Sequence, residues 1–319
     1  MLPILHIVSP CYNEQEVLPE IGKRIFALLT NMINEGQIDE NSKIVLVDDG
    51  SKDNTWNEIS KLSENSDKFI GLKLSRNCGH QNALLAGLMY SKNKADCVIS
   101  IDADLQDDIN VIPEFVKKFT EGCDVVYGVR KKRDKDTLFK RATAQGFYKF
   151  MNKMGVKVVY NHADYRLMSR RALEGLEQYK EVNLFLRGIV PLIGYKSDFV
   201  YYDRNERFAG ESKYPLKKMF ALAWDGITSF STKPIRFVWL SGILIFLISI
   251  LISIYALISK FLGVSVSGWT SILISVWALG GIQLFSIGLI GEYIGKVYKE
   301  SKARPKYHIE EISDQDKNV

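Results

Sequence analysis

Between Phe237 and Gly291 the chain carries one charged residue, Lys260, and no other feature restricts its fold as much. Phe237 to Ser259 is an uncharged run long enough to cross a bilayer as a helix. A second run, Phe261 to Gly291, leaves room for another span beginning near Trp269 or Thr270. A very hydrophobic core helix would account for one short segment of this kind. Two long ones, separated by a Gly- and Ser-containing turn from Gly263 to Gly268, read as a membrane hairpin. Lys217, Lys218, Lys233 and Arg236 precede the first span, and Lys296, Lys299, Lys302, Arg304 and Lys306 follow the second. The positive-inside rule therefore predicts that both chain ends are cytoplasmic, at a plasma membrane. Met1 leads straight into a strand-like run, so no signal peptide is expected.

The whole-chain averages, 46% hydrophobic and 25% charged, conceal this division. From Met1 to about Arg236 charged and apolar residues mix as they do in soluble domains. The net charge of +5 suits lipid headgroups and phosphates, and it does not amount to a nucleic-acid footprint. Cys11, Cys78, Cys97 and Cys123 show no CxxC spacing and read as small buried hydrophobes in a reducing compartment.

In the first half, apolar runs at Ile4–Ser9, Lys43–Asp48, Phe69–Ser75, Cys97–Ile101 and Val125–Val129 predict buried strands. Helical periodicity at Glu16–Ile33, Asn54–Ser63, Asn82–Ser91 and Val111–Phe119 separates them. This alternation predicts an α/β fold with a mainly parallel sheet covered on both faces, whose ligands sit beyond the carboxyl ends of the strands. The polar clusters fall there: Tyr12-Asn13-Glu14, Asp48-Asp49-Gly50-Ser51, Arg76-Asn77 and Asp102-Ala103-Asp104. Farther on, Leu138–Met154 reads as helical, Ala163–Met168 as extended and Asn183–Ile193 as helical. The predicted organisation is a catalytic domain over 1–214, an amphipathic interfacial helix over 215–236, two spans within 237–294 and a cytoplasmic tail over 295–319. After Tyr307 the tail is polar and expected to be disordered.

Asp102-Ala103-Asp104-Leu105-Gln106 carries the strongest chemical signal. Two carboxylates one residue apart behind a buried strand need a counter-charge, and a divalent cation with oxygen ligands supplies it. Magnesium or manganese suits carboxylates combined with substrate phosphates, and Gln106 offers a further oxygen. Alone, such a pair would be a solvated acidic turn; three other polar strand ends beside it favour the metal reading. An acidic residue at a strand end such as Asp48 or Asp49 can accept from a ribose or a base, and Tyr12 can stack on a base. The dinucleotide fingerprint G-x-G-x-x-G is absent, which argues against NAD or FAD. Guanidinium and ammonium groups at Arg130, Arg207 and Lys213 suit phosphate oxygens, and Gly210 would let the last loop close over a donor. Lys131 to Arg133 read as a solvated surface run.

Taken in order, P-x-Y-N-E, V-D-D-G-S, S-R-N-x-G-H, D-A-D-L-Q and D-Y-R-L resemble glycosyltransferase family two. More narrowly, they resemble its polyprenyl-phosphate glycosyltransferases, over nearly the whole chain. The resemblance implies a GT-A (Rossmann-like) fold and a metal-assisted, inverting transfer of a hexose from a nucleotide sugar. The implied acceptor is a polyprenyl phosphate such as undecaprenyl phosphate, giving a lipid-linked sugar for cell-envelope glycans. UDP-glucose is the first expectation for the donor. By motif, Asp102, Asp104 and Gln106 would hold the metal, and Asp104 would act catalytically through it. Pro10, Tyr12, Glu14, Asp48 and Asp49 would hold the nucleoside, and Arg76 and Asn77 would line the donor site. Asp164 would stand near the reacting centre, as a base or as an orienting group, with an ion pair to Arg166 as the structural alternative. Cys78 departs from the aromatic residue common at that place. A processive polysaccharide synthase is expected to carry Q-x-x-R-W and more spans, both missing here. An inactive transferase-like scaffold would predict a damaged metal turn, and this turn is complete. The implied partners are donor, acceptor and membrane lipids without nucleic acid; a homo-oligomer is left open, as is the final glycan.

Overall fold

The computed structural model describes residues 2–130, 162–182, 185–203, 228, 231–262 and 268–315. The chain divides into two units. One comprises Met1–Gly146, Val158–Lys213 and Ala303–Val319, the other Phe147–Lys157 and Tyr214–Lys302.

The first unit is built on strands β1 (Leu5–Cys11), β2 (Lys43–Asp48), β3 (Phe69–Leu74), β4 (Cys97–Ser100), β5 (Val125–Arg130), β6 (His162–Ser169), β7 (Ser197–Tyr202) and β8 (Ile309–Ser313). They form one sheet in the order β7-β5-β6-β4-β1-β2-β3-β8. Strands β1 to β4 run parallel to one another, as their unbroken apolar character predicts, and every residue of β1 is buried. The connecting helices are α1 (Leu18–Asn34), α2 (Thr55–Asn65), α3 (His80–Ser91) and α4 (Ile112–Thr120). Helix α3 lies so close to β1 and β2 that a Cβ at Gly87 would come within 2.4 Å of Val8 and 2.9 Å of Val47. Only glycine permits that approach.

The expected extended run at 163–168 is β6, which lies antiparallel between β4 and β5 with Ser100 opposite Arg166. This register carries Asp164 to the level of the turn that follows β4. Ser169 ends the strand and starts α5 (Arg170–Glu177), accepting from the Ala172 N–H at 3.0 Å. The helical stretch expected at 183–193 holds a single α-helical turn, α6 (Leu186–Ile189), followed by a 3₁₀ turn over Val190–Ile193. The helix expected at 138–154, the loop at 204–214 and most of the interfacial helix lie outside the described residues.

One expectation is corrected. The tail after Tyr307 is not disordered over its first part: Ile309–Ser313 forms β8, antiparallel on β3. Ile309 and Ile312 are half-buried there, and the strand covers backbone groups that β3 would otherwise leave open at the sheet edge. Ser63 and Ser313 share a hydrogen bond at 2.5 Å, and the Tyr90 hydroxyl donates to Asp314 at 2.9 Å. Five residues of polar composition carry too little apolar pattern to announce a strand.

The second unit contains two long helices, α7 (Lys233–Phe261) and α8 (Trp269–Ser301), of 29 and 33 residues. At about 1.5 Å per residue each exceeds a hydrocarbon core of about 30 Å. Large apolar side chains stand open along both, Phe237 and Leu284 each at 72%. Among the described residues, Ala278–Ser301 is long and apolar enough to cross a membrane. Lys233 and Arg236, expected at the end of an interfacial helix, belong to the first turn of α7.

Candidate active site

Four loops meet at the carboxyl ends of β3, β2, β1 and β4. Hydrogen bonds stitch the first three together. The Asn13 N–H donates to Ser51 Oγ at 3.0 Å, the Lys52 N–H to Asn13 Oδ1 at 2.9 Å and the Glu14 N–H to Thr55 Oγ1 at 2.9 Å. Asp48 accepts from the Ser51 N–H at 3.1 Å, and Asp49 accepts from the N–H groups of Cys78 and Gly79 at 2.6 and 2.9 Å. Burial pushes both carboxyls above their ordinary value. Gly50 sits at φ +64°, and a Cβ there would lie 2.5 Å from the Arg76 and Asn77 backbone, so this turn too needs glycine. Pro10 is buried, Glu14 half-buried, and Tyr12, Arg76 and Asn77 are exposed at this rim. The expected nucleoside residues are thus brought together, with Asp49 also bracing the loop that leads into α3.

Beyond β4 the chain alternates in burial. Ala103, Leu105 and Asp107 are buried, whereas Asp102, Asp104 and Gln106 are half-open on the other side. Leu105 takes φ +56°, which turns the segment. The Gln106 N–H donates to Asp104 Oδ1 at 3.2 Å. Burial pushes Asp102 up to about 6, with Asp164, Asp107 and Asp104 adding to the shift and His80 opposing it. A carboxylate crowded in this way fits a divalent cation, which would relieve the repulsion. Among the described residues no group of three or more His, Cys, Asp or Glu forms a cation site by itself. Two carboxylates and an amide completed by substrate phosphate and water match the hard-oxygen pattern of such ions.

Asp107 holds this turn in place. Its Oδ1 accepts from the Tyr202 hydroxyl at 2.5 Å and from Arg130 Nη2 at 3.4 Å, while Arg130 Nε donates to the Tyr202 oxygen at 3.2 Å. Tyr165 reaches the Asp108 carbonyl at 3.0 Å. Arg130, expected at a diphosphate, is therefore engaged in joining the ends of β5 and β7 to the carboxylate turn.

Asp164 is 4% exposed. Burial alone would raise its pKa, but Arg187 and Arg166 hold it well below the usual carboxylate range. Arg187 grips it with Nε at 3.2 Å from Oδ1 and Nη2 at 2.9 Å from Oδ2, and Arg166 Nη2 bonds Oδ1 at 2.5 Å. His80 Nε2 lies 3.4 Å from Asp102 and 3.8 Å from Asp164, tying the two clusters. Gln81, the next residue of α3, accepts from the Leu186 N–H at 2.8 Å and so places α6 with its Arg187. Sequence reasoning paired Asp164 with Arg166 but passed over Arg187. A signal was available: Arg187 is the one cation in Leu184-Phe-Leu-Arg-Gly-Ile-Val190, an otherwise apolar run. Arg207 and Lys213 lie outside the described residues.

The family model for glycosyl transferase family 2 matches residues 6–176, more than half of the chain. This protein belongs to glycosyl transferase family 2. The family 2 chain is 58% identical over 308 residues to the uncharacterized glycosyltransferase YkoT of Bacillus subtilis, covering 97% of this chain and 91% of that one. It is 41% identical over 307 residues to the bactoprenol glucosyl transferase of Shigella phage SfV, covering 96% and 97%. Mannosyl-3-phosphoglycerate synthase from Rubrobacter xylanophilus aligns with a TM-score of 0.46 at 16% identity, over 70% of this chain and 71% of that one. The family 2 chain is a glycosyltransferase with a GT-A fold, and its mainly parallel sheet is the one its motifs implied.

Proposed function

We propose that this family 2 transferase moves a hexose from a nucleotide sugar, UDP-glucose first, to undecaprenyl or a similar polyprenyl phosphate at the cytoplasmic face of a membrane. One observation carries the reading: Asp102, just beyond β4, and Asp164, in β6, meet through His80 in one crevice beside the loops proposed to face the nucleoside. Full-length similarity to a bactoprenol glucosyl transferase supports the acceptor and the glucose.

Asp102, Asp104 and Gln106 would hold magnesium or manganese, which when bound neutralises the leaving diphosphate. Tyr12, Glu14, Asp48 and Asp49 face the nucleoside, with Pro10 beneath them, and Arg76 and Asn77 line the donor side. In the transfer an acceptor phosphate oxygen forms the new bond to the anomeric carbon. The bond from that carbon to the diphosphate oxygen breaks, and the nucleoside diphosphate leaves with the electron pair, inverting the carbon. An acceptor monophosphate with a second pKa of about 6 is already largely a dianion at neutral pH and gives up no proton. A carboxylate held between two guanidiniums is a weak base, so Asp164 orients rather than abstracts. Arg207 and Lys213 would meet phosphates from the loop before the first span.

The membrane reading gains from β8. Strands before α7 and after α8 share one sheet, so any membrane segment between them must cross an even number of times. Two helices flanked by Lys and Arg, with 1–214 and the residues beyond 295 on the cytoplasmic side, satisfy that condition. The test incubates purified protein in vesicles containing undecaprenyl phosphate with radiolabelled UDP-glucose, GDP-mannose, UDP-N-acetylglucosamine or UDP-galactose. Label extracted with the lipid, greatest from UDP-glucose, is the expected result. No lipid-linked label from any donor would overturn the proposal.

A further inference from the structure

Building on the reading of the site as a transferase fed by a nucleotide sugar, we propose that His80 reads the sugar: its imidazole hydrogen-bonds a hydroxyl of the transferred hexose and thereby selects the donor. The ring is held out into the crevice rather than built into the core. Its side chain is 44% exposed, against 30% for Asp102 and 5% for Asp164. The backbone beneath it is fixed from both sides. Gly79, at φ +89°, donates its N–H to Asp49, Gln81 accepts from the Leu186 N–H, and the Asn82 amide donates to the Cys78 carbonyl at 2.8 Å. The imidazole Nε2 stands 3.4 Å from Asp102 and 3.8 Å from Asp164, longer than a tight N–H···O bond of about 2.9 Å. Loop and helix therefore aim the ring, and an edge of it is left for a ligand.

Position and chemistry select the same ligand. The loops proposed to face the nucleoside follow β1, β2 and β3, and on the other side of β1 the sheet continues with β4 and then β6. A nucleotide sugar that starts on those loops and brings its diphosphate to Asp102 and Asp104 carries its hexose on toward β6. His80 spans that interval, from Asp102 to Asp164. Asp164 itself is 4% exposed, with both oxygens accepting from guanidinium groups, so it meets a sugar less readily than the ring beside it. Guanidiniums only donate and carboxylates only accept; a neutral imidazole does one of each, which is what a sugar hydroxyl offers in return. A site built on such a pair rejects a donor whose hydroxyl is missing or turned away.

The experiment uses the full chain with the donor that best labels lipid or, without label, the one bound most tightly, and with that donor's monodeoxy analogues. Wild type, His80→Ala and His80→Gln are compared by kcat/KM and, in calorimetry, by affinity for each donor and for the nucleoside diphosphate alone. One deoxy analogue should cost wild type about tenfold in kcat/KM and in affinity. His80→Ala should lose about tenfold on the parent donor yet nothing more on that analogue, with nucleoside diphosphate affinity within about twofold of wild type. Glutamine should recover part of the loss, because its amide keeps both a donor and an acceptor. No loss on His80→Ala, a loss equal for the parent and every analogue, or one matched by weaker nucleoside diphosphate binding would make His80 a brace for Asp102 and overturn the proposal. A raised acceptor KM with the deoxy penalties intact would assign His80 to the acceptor and overturn it too. Should wild type bind the nucleotide sugar yet put no sugar on lipid, the transferase reading fails while the deoxy comparison still stands on affinities. Wild type that binds no nucleotide sugar overturns both.

Discussion

Replacing Asp164 with asparagine separates a base from an anchor. The substitution keeps shape and one acceptor oxygen but removes the charge that holds Arg166 and Arg187. Arg166, 1% exposed, would then be a buried cation without its partner. Breaking a buried pair in this way costs about 3–5 kcal/mol, which in a domain of this size lowers the melting temperature by on the order of 10 °C. The folded state should survive, since domain stabilities run to about 5–15 kcal/mol. The pH dependence has a definite sign. Asp164 has a depressed folded pKa, so its stabilisation is complete above the ordinary carboxylate value and is lost only as pH falls through the folded value. From pH 6 to 9 its charge does not change. The variant should therefore lose most transfer activity by a factor that is flat with pH once the acceptor is a dianion. Thermal melts and transfer rates at 20 °C, measured from pH 6 to 9, test this. Recovery of the variant as pH rises would restore the general-base role, and an unchanged melting temperature would refute the double ion pair.

Three further outcomes are expected. Asp102→Asn and Asp104→Asn should each abolish transfer while the fold persists, because each removes a charged ligand of the proposed metal; full activity of either in excess EDTA would contradict this. Tyr202→Phe leaves Asp107 without its shortest hydrogen bond and should raise the manganese concentration needed for half-maximal activity several-fold, read from a metal titration at saturating substrates. His6 is 2% exposed in β1, and burial pushes its pKa down to about 4, followed in effect by Lys94 and Lys43. The neutral form is the folded one, so stability is complete above about 6.5 and falls by about 3 kcal/mol as pH drops to about 4; urea midpoints at pH 7.5, 5.5 and 4.5 measure it.

The parallel half of the fold was legible because β1 to β4 are covered on both faces, and apolar runs such as Ile4–Ser9 read as buried strands. Strand β7 was not. Its exposed Phe199 and Tyr201 alternate with buried Val200 and Tyr202, which hides the apolar signal in a short edge strand. For β8 the determinant is the open edge of β3, a property of the assembled sheet rather than of residues 309–313.

Within the site, local spacing exposed Asp102, Asp104 and Gln106, because alternation along one turn suffices to put them on one side. Partnerships across the chain were out of reach: Tyr202 on Asp107 and Arg187 on Asp164 join residues from elements that only the fold brings together. Arg130 likewise takes partners that local sequence does not announce, a carboxylate and a phenol from distant elements. Arg187 shows the same limit: a cation within an apolar run must be paired if it is buried, but only the fold reveals Asp164 as a partner.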